Sequence, residues 1–295
     1  MRTFAATAGV LALCASAVCA PAAADENPIY RQLTTSGVRL VAGSSVQLPA
    51  PTLPDGLDAA AQRQAIGTIT DAGHSFEALV RKSVLAPMVL KLSDVKTDSG
   101  ASTGRRVDLW FVVYADLTRI ADAEFLRQQF EAEAKPNTAD NGLQLVALSP
   151  AELSSRNIVP ATNERFFFGS IDLFDRVRLQ TALRGYQTRA ADSVLVAMAI
   201  DPRFDADRQF ANSWRSVERD DSGRLQVGEP RPYDSAGGYV KATRLADPAG
   251  AVFVEYHLVF DELPEWFNGA NLLRSKLPIV CQDGVRKFRR RVSGP

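Results

Sequence analysis

The hydrophobic and polar positions of residues 106–115 alternate, which is the pattern of a β-strand with one apolar face. The apolar set is Val107, Leu109, Phe111, Val113 and Ala115. Residues 84–95 carry the hydrophobic run of a preceding strand, and the Asp-, Ser- and Gly-rich stretch between the two is typical of a solvated loop. These residues therefore predict a long β-hairpin.

The second half of the chain is dense in short hydrophobic runs that predict further strands. These runs are residues 143–148, 165–171, 177–187, 194–200, 214–219, 225–227, 239–245 and 252–260. Turn sequences such as Asp220-Asp221-Ser222-Gly223 separate neighbouring runs. Because the runs do not alternate with long helical segments, we expect an antiparallel sheet, and a parallel α/β fold is disfavoured.

Three segments carry helical patterns. Asp58 is an N-cap candidate for a helix from residue 59 to about 69, and residues 121–134 have an amphipathic pattern. After Gly269, Pro278 interrupts the last pattern, where it either kinks a helix or begins a second one at its first position. The apolar stripe of this last segment comprises Leu273, Leu277, Cys281, Val285, Phe288 and Val292.

The combined pattern predicts an α+β fold in which a curved antiparallel β-sheet is closed by a C-terminal helix, with a β-rich N-terminal portion. Residues 25–142 form a region of strand, hairpin and helix, and residues 143–295 supply the remaining sheet and the C-terminal helix. The best linker candidate is the segment 136–142. The sequence leaves open whether the two regions form one continuous domain.

The first 24 residues have the organisation of a cleaved signal peptide. Arg2 supplies a positive start, residues 4–18 are apolar, and Ala22-Ala23-Ala24 matches a small-residue cleavage site, so we expect cleavage after Ala24. The apolar run is too short to span a bilayer. We therefore expect a periplasmic or secreted protein, whose mature chain keeps one cysteine, Cys281, and forms no internal disulfide.

The titratable residues give little support for catalysis, metal binding or nucleic-acid binding. The chain has 34 basic and 34 acidic residues, so no net charge draws it to nucleic acid. Its two histidines lack the neighbours of a zinc site, and we expect no metal and no cofactor. His257 alternates with apolar neighbours, which predicts a solvated side chain beside Glu255 and Asp261. Ser102 in Gly-Ala-Ser-Thr-Gly lies in a predicted loop, without the strand-to-helix turn of a nucleophilic serine.

Five basic residues crowd the end of the predicted C-terminal helix: Arg286, Lys287, Arg289, Arg290 and Arg291. They suit the negative end of the helix dipole, and the simplest interpretation is a solvated helix terminus. The functional alternative is contact with an anionic surface such as lipid headgroups, where each basic residue contributes on the order of 1 kcal/mol.

The C-terminal quarter contains a strand, an acidic residue and a Pro-x-Trp turn before the last helix. The matching positions are Asp261, Pro264, Trp266, Asn268, Pro278 and Arg286. This order resembles the end of START-type lipid-binding domains, which belong to the helix-grip group, in which an antiparallel sheet wraps around a long C-terminal helix. Two features depart from that family: Glu262-Leu263 stands where a Pro/Gly pair is usual, and the Trp-to-Asn spacing is one residue short.

The resemblance implies a hydrophobic cavity between sheet and helix, without catalytic residues. The expected ligand contacts are Leu273, Leu277, Cys281, Phe288 and Trp266. The first hypothesis is therefore an exported, non-catalytic protein that binds a lipid or another hydrophobic ligand. The second is an envelope structural or interaction protein whose apolar stripe is ordinary core, with no cavity. The third, a hydrolase, requires a serine or a carboxylate pair near His257 in a cleft.

Overall fold

The computed structural model describes residues 26–41, 43–70, 74–96, 100, 102–122, 144–267 and 271–292. The predicted signal peptide, most of the predicted helix at 121–134, the linker candidate at 136–142 and Asn268 lie outside these residues. The described residues contain six α-helices and thirteen β-strands, numbered below in chain order.

Most of the regular structure is β-strand. The strands are β1 (Val38–Arg39), β2 (Ser45–Val46), β3 (Val89–Lys96), β4 (Ser102–Tyr114), β5 (Gln144–Ala147), β6 (Glu164–Leu173), β7 (Val177–Arg189), β8 (Ser193–Ile200), β9 (Ser213–Arg219), β10 (Leu225–Val227), β11 (Arg231–Pro232), β12 (Ala236–Arg244) and β13 (Ala251–Asp261). The helices are α1 (Pro28–Thr35), α2 (Ala59–Gly67), α3 (Phe76–Leu79), α4 (Leu117–Ile120), α5 (Pro150–Ser154) and α6 (Leu272–Val292). A short 3₁₀ helix, Pro264–Trp266, lies between β13 and α6.

Strands β3 to β13 form one large antiparallel sheet, which is not closed into a barrel. The order of its strands is β5-β6-β7-β8-β12-β13-β4-β3. A branch starts at β7, whose first residues pair with β9 and whose later residues pair with β8. Strands β10 and β11 both pair with β9. Strand β13 pairs along its whole length with β4. The predicted hairpin β3-β4 therefore belongs to the same sheet as the strands after residue 143, and the predicted boundary at 142/143 lies outside the described residues.

Both faces of the central strands β8, β12, β13 and β4 are largely buried. The inner face packs against α6, where the rings of Phe111 and Phe288 meet edge to face with centroids 6.1 Å apart. The outer face lies under residues 27–55, which we call the N-terminal cover and which include α1, β1 and β2. Leu33 of this cover packs with Tyr239 of β12 in a second hydrophobic core. The central strands consequently have no solvated face.

Helix α6 closes the inner face. Its buried side chains follow the stripe that the sequence predicts, because residues three and four apart share one helical face. Cys281, Val285 and Phe288 pack in the core against β4 and β13. The helix is continuous across Pro278, so the alternative of a second helix starting at this residue is wrong.

Candidate ligand-binding site

An apolar cavity of about 210 Å³ lies between the inner face and the first half of α6. Strands β4 to β8, β12 and β13 supply its walls, and α6 supplies Leu273 and Leu277. An apolar cavity of roughly 150 Å³ is already large enough to hold benzene. The cavity can therefore hold a small hydrophobic molecule or one hydrocarbon chain.

Gly238 forms part of the cavity floor. It lies in β12 between its register partners Met198 of β8 and Leu258 of β13, and all three residues line the cavity. A Cβ atom at Gly238 would lie 2.6 Å from the carbonyl oxygen of His257 and 3.2 Å from the Cα of Leu258. A side chain at this position would therefore clash with the neighbouring strand, and its absence leaves open volume over the sheet.

Among the described residues that line the cavity, the polar side-chain groups are three hydroxyls, and none of these residues is Asp, Glu, Lys, Arg or His. Thr181, Tyr233 and Tyr256 supply these hydroxyls. The Tyr233 hydroxyl donates to the backbone oxygen of Asp261 at 3.3 Å. Burial raises the pKa of Tyr233 and of Tyr256, with smaller effects from Asp261 and Asp234 on Tyr233 and from Cys281 on Tyr256. Both phenols therefore stay neutral, and the described part of the wall carries no charged side chain.

Two of the five predicted ligand contacts lie at this cavity. Leu273 and Leu277 line it, whereas Cys281 and Phe288 lie further along α6 in the core against β4. Trp266 is buried in an adjacent hydrophobic cluster. The lining residues of β6, β7 and β8 are absent from the sequence prediction, because a helical stripe reveals only the wall that the helix itself supplies. Ligand contact at the five positions stays a prediction.

The prediction that His257 is solvated is wrong. Its side chain is only 1% exposed, and it lies on the outer face beneath the N-terminal cover. Its Nδ1 lies 2.6 Å from a carboxylate oxygen of Asp108, and its Nε2 lies 3.4 Å from one of Glu255. The error arises because the polar face of an antiparallel strand is usually solvated, whereas here the cover excludes water from it.

The N-terminal cover is fixed to this polar face by hydrogen bonds. Glu255 accepts the backbone amide of Thr52 at 2.6 Å. Lys241 Nζ donates a hydrogen bond to the backbone oxygen of Leu53 at 2.7 Å. The same atom lies 2.7 Å from a carboxylate oxygen of Asp55, with which it forms a salt bridge. We call the four buried strand residues of this group, Asp108, Lys241, Glu255 and His257, the outer-face polar cluster.

The carboxylates of the outer-face polar cluster favour a charged His257. Burial alone lowers the pKa of this imidazole, but the hydrogen bonds from Asp108 and Glu255 outweigh it, so that the pKa is raised. The hydrolase hypothesis requires a carboxylate pair near His257, and Asp108 and Glu255 form such a pair. The N-terminal cover, however, encloses all three side chains. A substrate could not reach the imidazole unless the cover moved.

Arg289 does not belong to a basic surface. It is only 4% exposed, and its Nε donates to the backbone oxygen of Val112 at 2.9 Å while its Nη2 donates to that of Pro87 at 3.0 Å. The prediction that Arg289 contacts an anionic surface is therefore wrong, because its guanidinium is used inside the protein. For the other basic residues of the helix end this contact stays a prediction: Arg286, Lys287, Arg290 and Arg291.

The described part of the chain has neither a candidate metal site nor a candidate membrane-spanning helix. No group of three or more His, Cys, Asp and Glu side chains there could hold a metal ion. None of the helices found among these residues is long and apolar enough to cross a membrane.

No protein-family model matches this chain, and no curated protein has significant sequence similarity to it. Among solved structures, the chain is similar to human STARD10, with a TM-score of 0.37 and 11% identity over 84% of each chain. It is also similar to an uncharacterized protein from Rhizobium leguminosarum, with a TM-score of 0.29 and 13% identity over 64% of this chain and 97% of that one. These superpositions are too loose to establish a function, so the site rests on its own geometry.

Proposed function

We propose that this chain binds a lipid or another hydrophobic ligand between its antiparallel sheet and α6, without catalysing a reaction. The observation that carries the proposal is the apolar cavity beneath the first half of α6. Protein interiors are normally close-packed, and an empty apolar space destabilises the fold in proportion to its size. A bound ligand would remove that cost, whereas the alternative of an interaction protein with an ordinary core requires no cavity.

The proposal includes a START-like, helix-grip arrangement of this site. A single long helix lies against the inner face of an antiparallel sheet, and the Pro264–Trp266 turn joins it to β13. Asp261 ends β13 and is buried, with a carboxylate oxygen accepting the Val41 amide at 2.9 Å. This order of elements agrees with the resemblance in sequence, and membership of the family stays a prediction.

Substitution of Leu258 by Trp tests the ligand site. The larger ring would occupy the cavity floor beside Gly238. We expect the affinity for the dye 1-naphthylamine, which is uncharged at pH 7, to fall at least about tenfold, which corresponds to ~1.4 kcal/mol, as measured by isothermal titration calorimetry. Leu277→Trp fills the same cavity from the helix side and provides a second variant in case the first folds poorly.

Leu85→Trp is the matched control for both variants. Leu85 is 65% exposed and lies outside the cavity, so the same chemical change should leave the dye affinity unaltered. Thermal unfolding of each variant shows whether it is folded before binding is compared. Equal dye affinity in the wild type and in all three variants would count against the ligand site.

We also propose that the protein is exported to the periplasm or secreted, on the basis of the apolar run and the cleavage site within the first 24 residues. Expression of the full chain in a bacterium, followed by N-terminal sequencing of the periplasmic fraction, should yield Asp25 as the first residue. Recovery of the uncut chain from the cytoplasm alone would overturn this proposal.

A further inference from the structure

The size of the cavity restricts the ligand that it can take. Pockets for drug-sized ligands typically have volumes of about 300–1,000 Å³, whereas this cavity has a volume of about 210 Å³. One ring system or one alkyl chain fits such a volume. A lipid with two long acyl chains does not fit it.

The cavity wall also disfavours an ionised ligand. The titratable groups of its described lining residues are two phenols whose pKa is raised by burial, so none of these side chains can form an ion pair with a carboxylate or an ammonium group. Moving an unpaired ion from water to such a site costs several kcal/mol. A neutral molecule of the same shape does not incur this cost.

A buried cation of the inner face, Arg105, is already compensated by carboxylates. Arg105 lies opposite the cavity-lining Phe260 in the register of β4 and β13. Its Nη1 donates to Asp94 at 2.7 Å and its Nε donates to Glu262 at 2.6 Å. Because two carboxylates surround this guanidinium, it does not attract an anionic ligand into the cavity.

Tyr256 carries one of the three side-chain hydroxyls among the described residues that line the cavity. It lines the cavity from the centre of β13 and is 5% exposed. The Tyr233 hydroxyl is already bonded to a backbone oxygen, but no described residue forms a hydrogen bond with the Tyr256 hydroxyl, and this phenol remains protonated. A neutral phenol can both donate and accept, so it can pair with an alcohol or a carbonyl group.

We infer that the cavity selects an un-ionised ligand with one alkyl chain or one ring system, whose hydroxyl or carbonyl group pairs with the hydroxyl of Tyr256. This inference rests on the proposed function, since it names the chemical class of the ligand for the same cavity. It makes Tyr256 a residue that determines specificity.

Four eight-carbon probes of nearly equal size test the inference: 1-octanol, octanoate, octylammonium and octane. Each displaces the naphthylamine dye from the wild-type protein at pH 7. We expect 1-octanol to bind at least about 100-fold more tightly than octanoate or octylammonium, since burial of an unpaired ion costs several kcal/mol. Dioctanoyl phosphatidylcholine, a lipid with two chains, should displace the dye weakly or not at all.

Tyr256→Phe removes the hydroxyl and retains the ring. We expect the affinity for 1-octanol to fall about fivefold to tenfold, because one neutral hydrogen bond contributes ~1 kcal/mol, while the affinity for octane stays the same. Tyr114→Phe is the matched control, since the Tyr114 hydroxyl donates to the Val80 oxygen outside the cavity.

The outcomes separate this inference from the proposed function. If the dye binds in the cavity but octanoate or the phospholipid competes as well as 1-octanol, the inference fails and the proposed function stands. If Tyr256→Phe weakens octanol and octane equally or has no effect on either, the role of Tyr256 is overturned. If neither the dye nor any probe binds, the proposed function fails.

Discussion

At the scale of single residues, Arg289 connects three parts of the chain. Its guanidinium links α6 to β4 through Val112, and to the segment before β3 through the backbone oxygens of Ala86 and Pro87. Burial, with a contribution from Arg286, lowers the pKa of Arg289 to about 10, so the side chain remains charged at neutral pH. Backbone carbonyls that cannot reach water obtain their hydrogen bonds from it.

Arg289→Met should destabilise the fold. Methionine keeps an apolar stem of similar length but removes the donors, which leaves buried backbone oxygens without partners. We expect the free energy of unfolding to fall by about 2–4 kcal/mol, measured by urea denaturation. Arg290→Met is the control, because Arg290 is exposed; similar stability in both variants would show that the buried hydrogen bonds contribute little.

At the scale of single elements, β13 presents different chemistry on its two faces. Tyr256 and Leu258 line the cavity, while Glu255 and His257 belong to the outer-face polar cluster. The cluster fixes the N-terminal cover, since Glu255 accepts the amide of Thr52. Loss of the proton from His257 would leave two buried carboxylates beside a neutral ring, which is an unfavourable arrangement.

The stability of the protein should therefore depend on pH through His257. Its pKa is raised in the folded state, so its contribution to stability is fully present below the unfolded value of about 6.5 and is lost as the pH rises through the folded value. Urea denaturation between pH 6 and pH 9 should show this decline in the wild type and a smaller one in His257→Gln.

His74→Gln serves as the control for this measurement, because it removes the other histidine of the chain and leaves the outer-face polar cluster intact. It should keep the pH dependence of the wild type. Hydrogen exchange of the Thr52 amide, expressed as protection relative to an unfolded amide at the same pH, reports on the same contact, and weaker protection is expected above the folded pKa. An identical pH dependence in the wild type and in His257→Gln would contradict this interpretation.

The sequence predicted the elements better than it predicted their surroundings. The alternation at residues 106–115 and 252–260 identified β4 and β13, because the side chains of a strand alternate between its two faces. Asp58 was a correct helix cap, since its side chain accepts the Ala61 amide at 2.8 Å. Such signals depend only on residues that are close in sequence, so they can be interpreted without knowing which element packs on which face.

The surroundings of β13 depend on distant parts of the chain. Residues 27–55 contain few long apolar runs, and nothing in their pattern indicates that they cover the central strands. The same polar alternation describes a solvated face and a buried, hydrogen-bonded one, so His257 was assigned to the wrong environment. Likewise, Leu273 and Leu277 could be inferred from the helical stripe, whereas the cavity walls from β6 to β8 require the tertiary arrangement.

At the scale of the whole molecule, the cavity and the N-terminal cover occupy opposite sides of the same central strands. Strand β12 contributes Gly238 to the cavity floor and Lys241 to the outer-face polar cluster. A ligand that fills the cavity supplies packing partners to its apolar walls, and such contacts stabilise a fold. Occupancy of the cavity should therefore be detectable in the unfolding of the entire chain.

A bound neutral ligand should raise the melting temperature. For 1-octanol at 100 times its dissociation constant, mass action stabilises the folded state by about 2.7 kcal/mol, or roughly 5–10 °C for a chain of this size. Differential scanning calorimetry of the wild type with and without 1-octanol measures this shift. Leu258→Trp should show almost none of it, and an equal shift in both proteins would mean that octanol acts elsewhere.

The register of β13 limits which changes of length the chain can accept. This strand pairs without a bulge with β12 and β4, and the two sides of its backbone serve different purposes. Insertion or deletion of one residue within it would turn the following side chains to the opposite face, placing His257 in the cavity and Leu258 under the cover. Length variation belongs instead in the turn at residues 246–250, and related chains that keep this site should align through residues 251–261 without a gap.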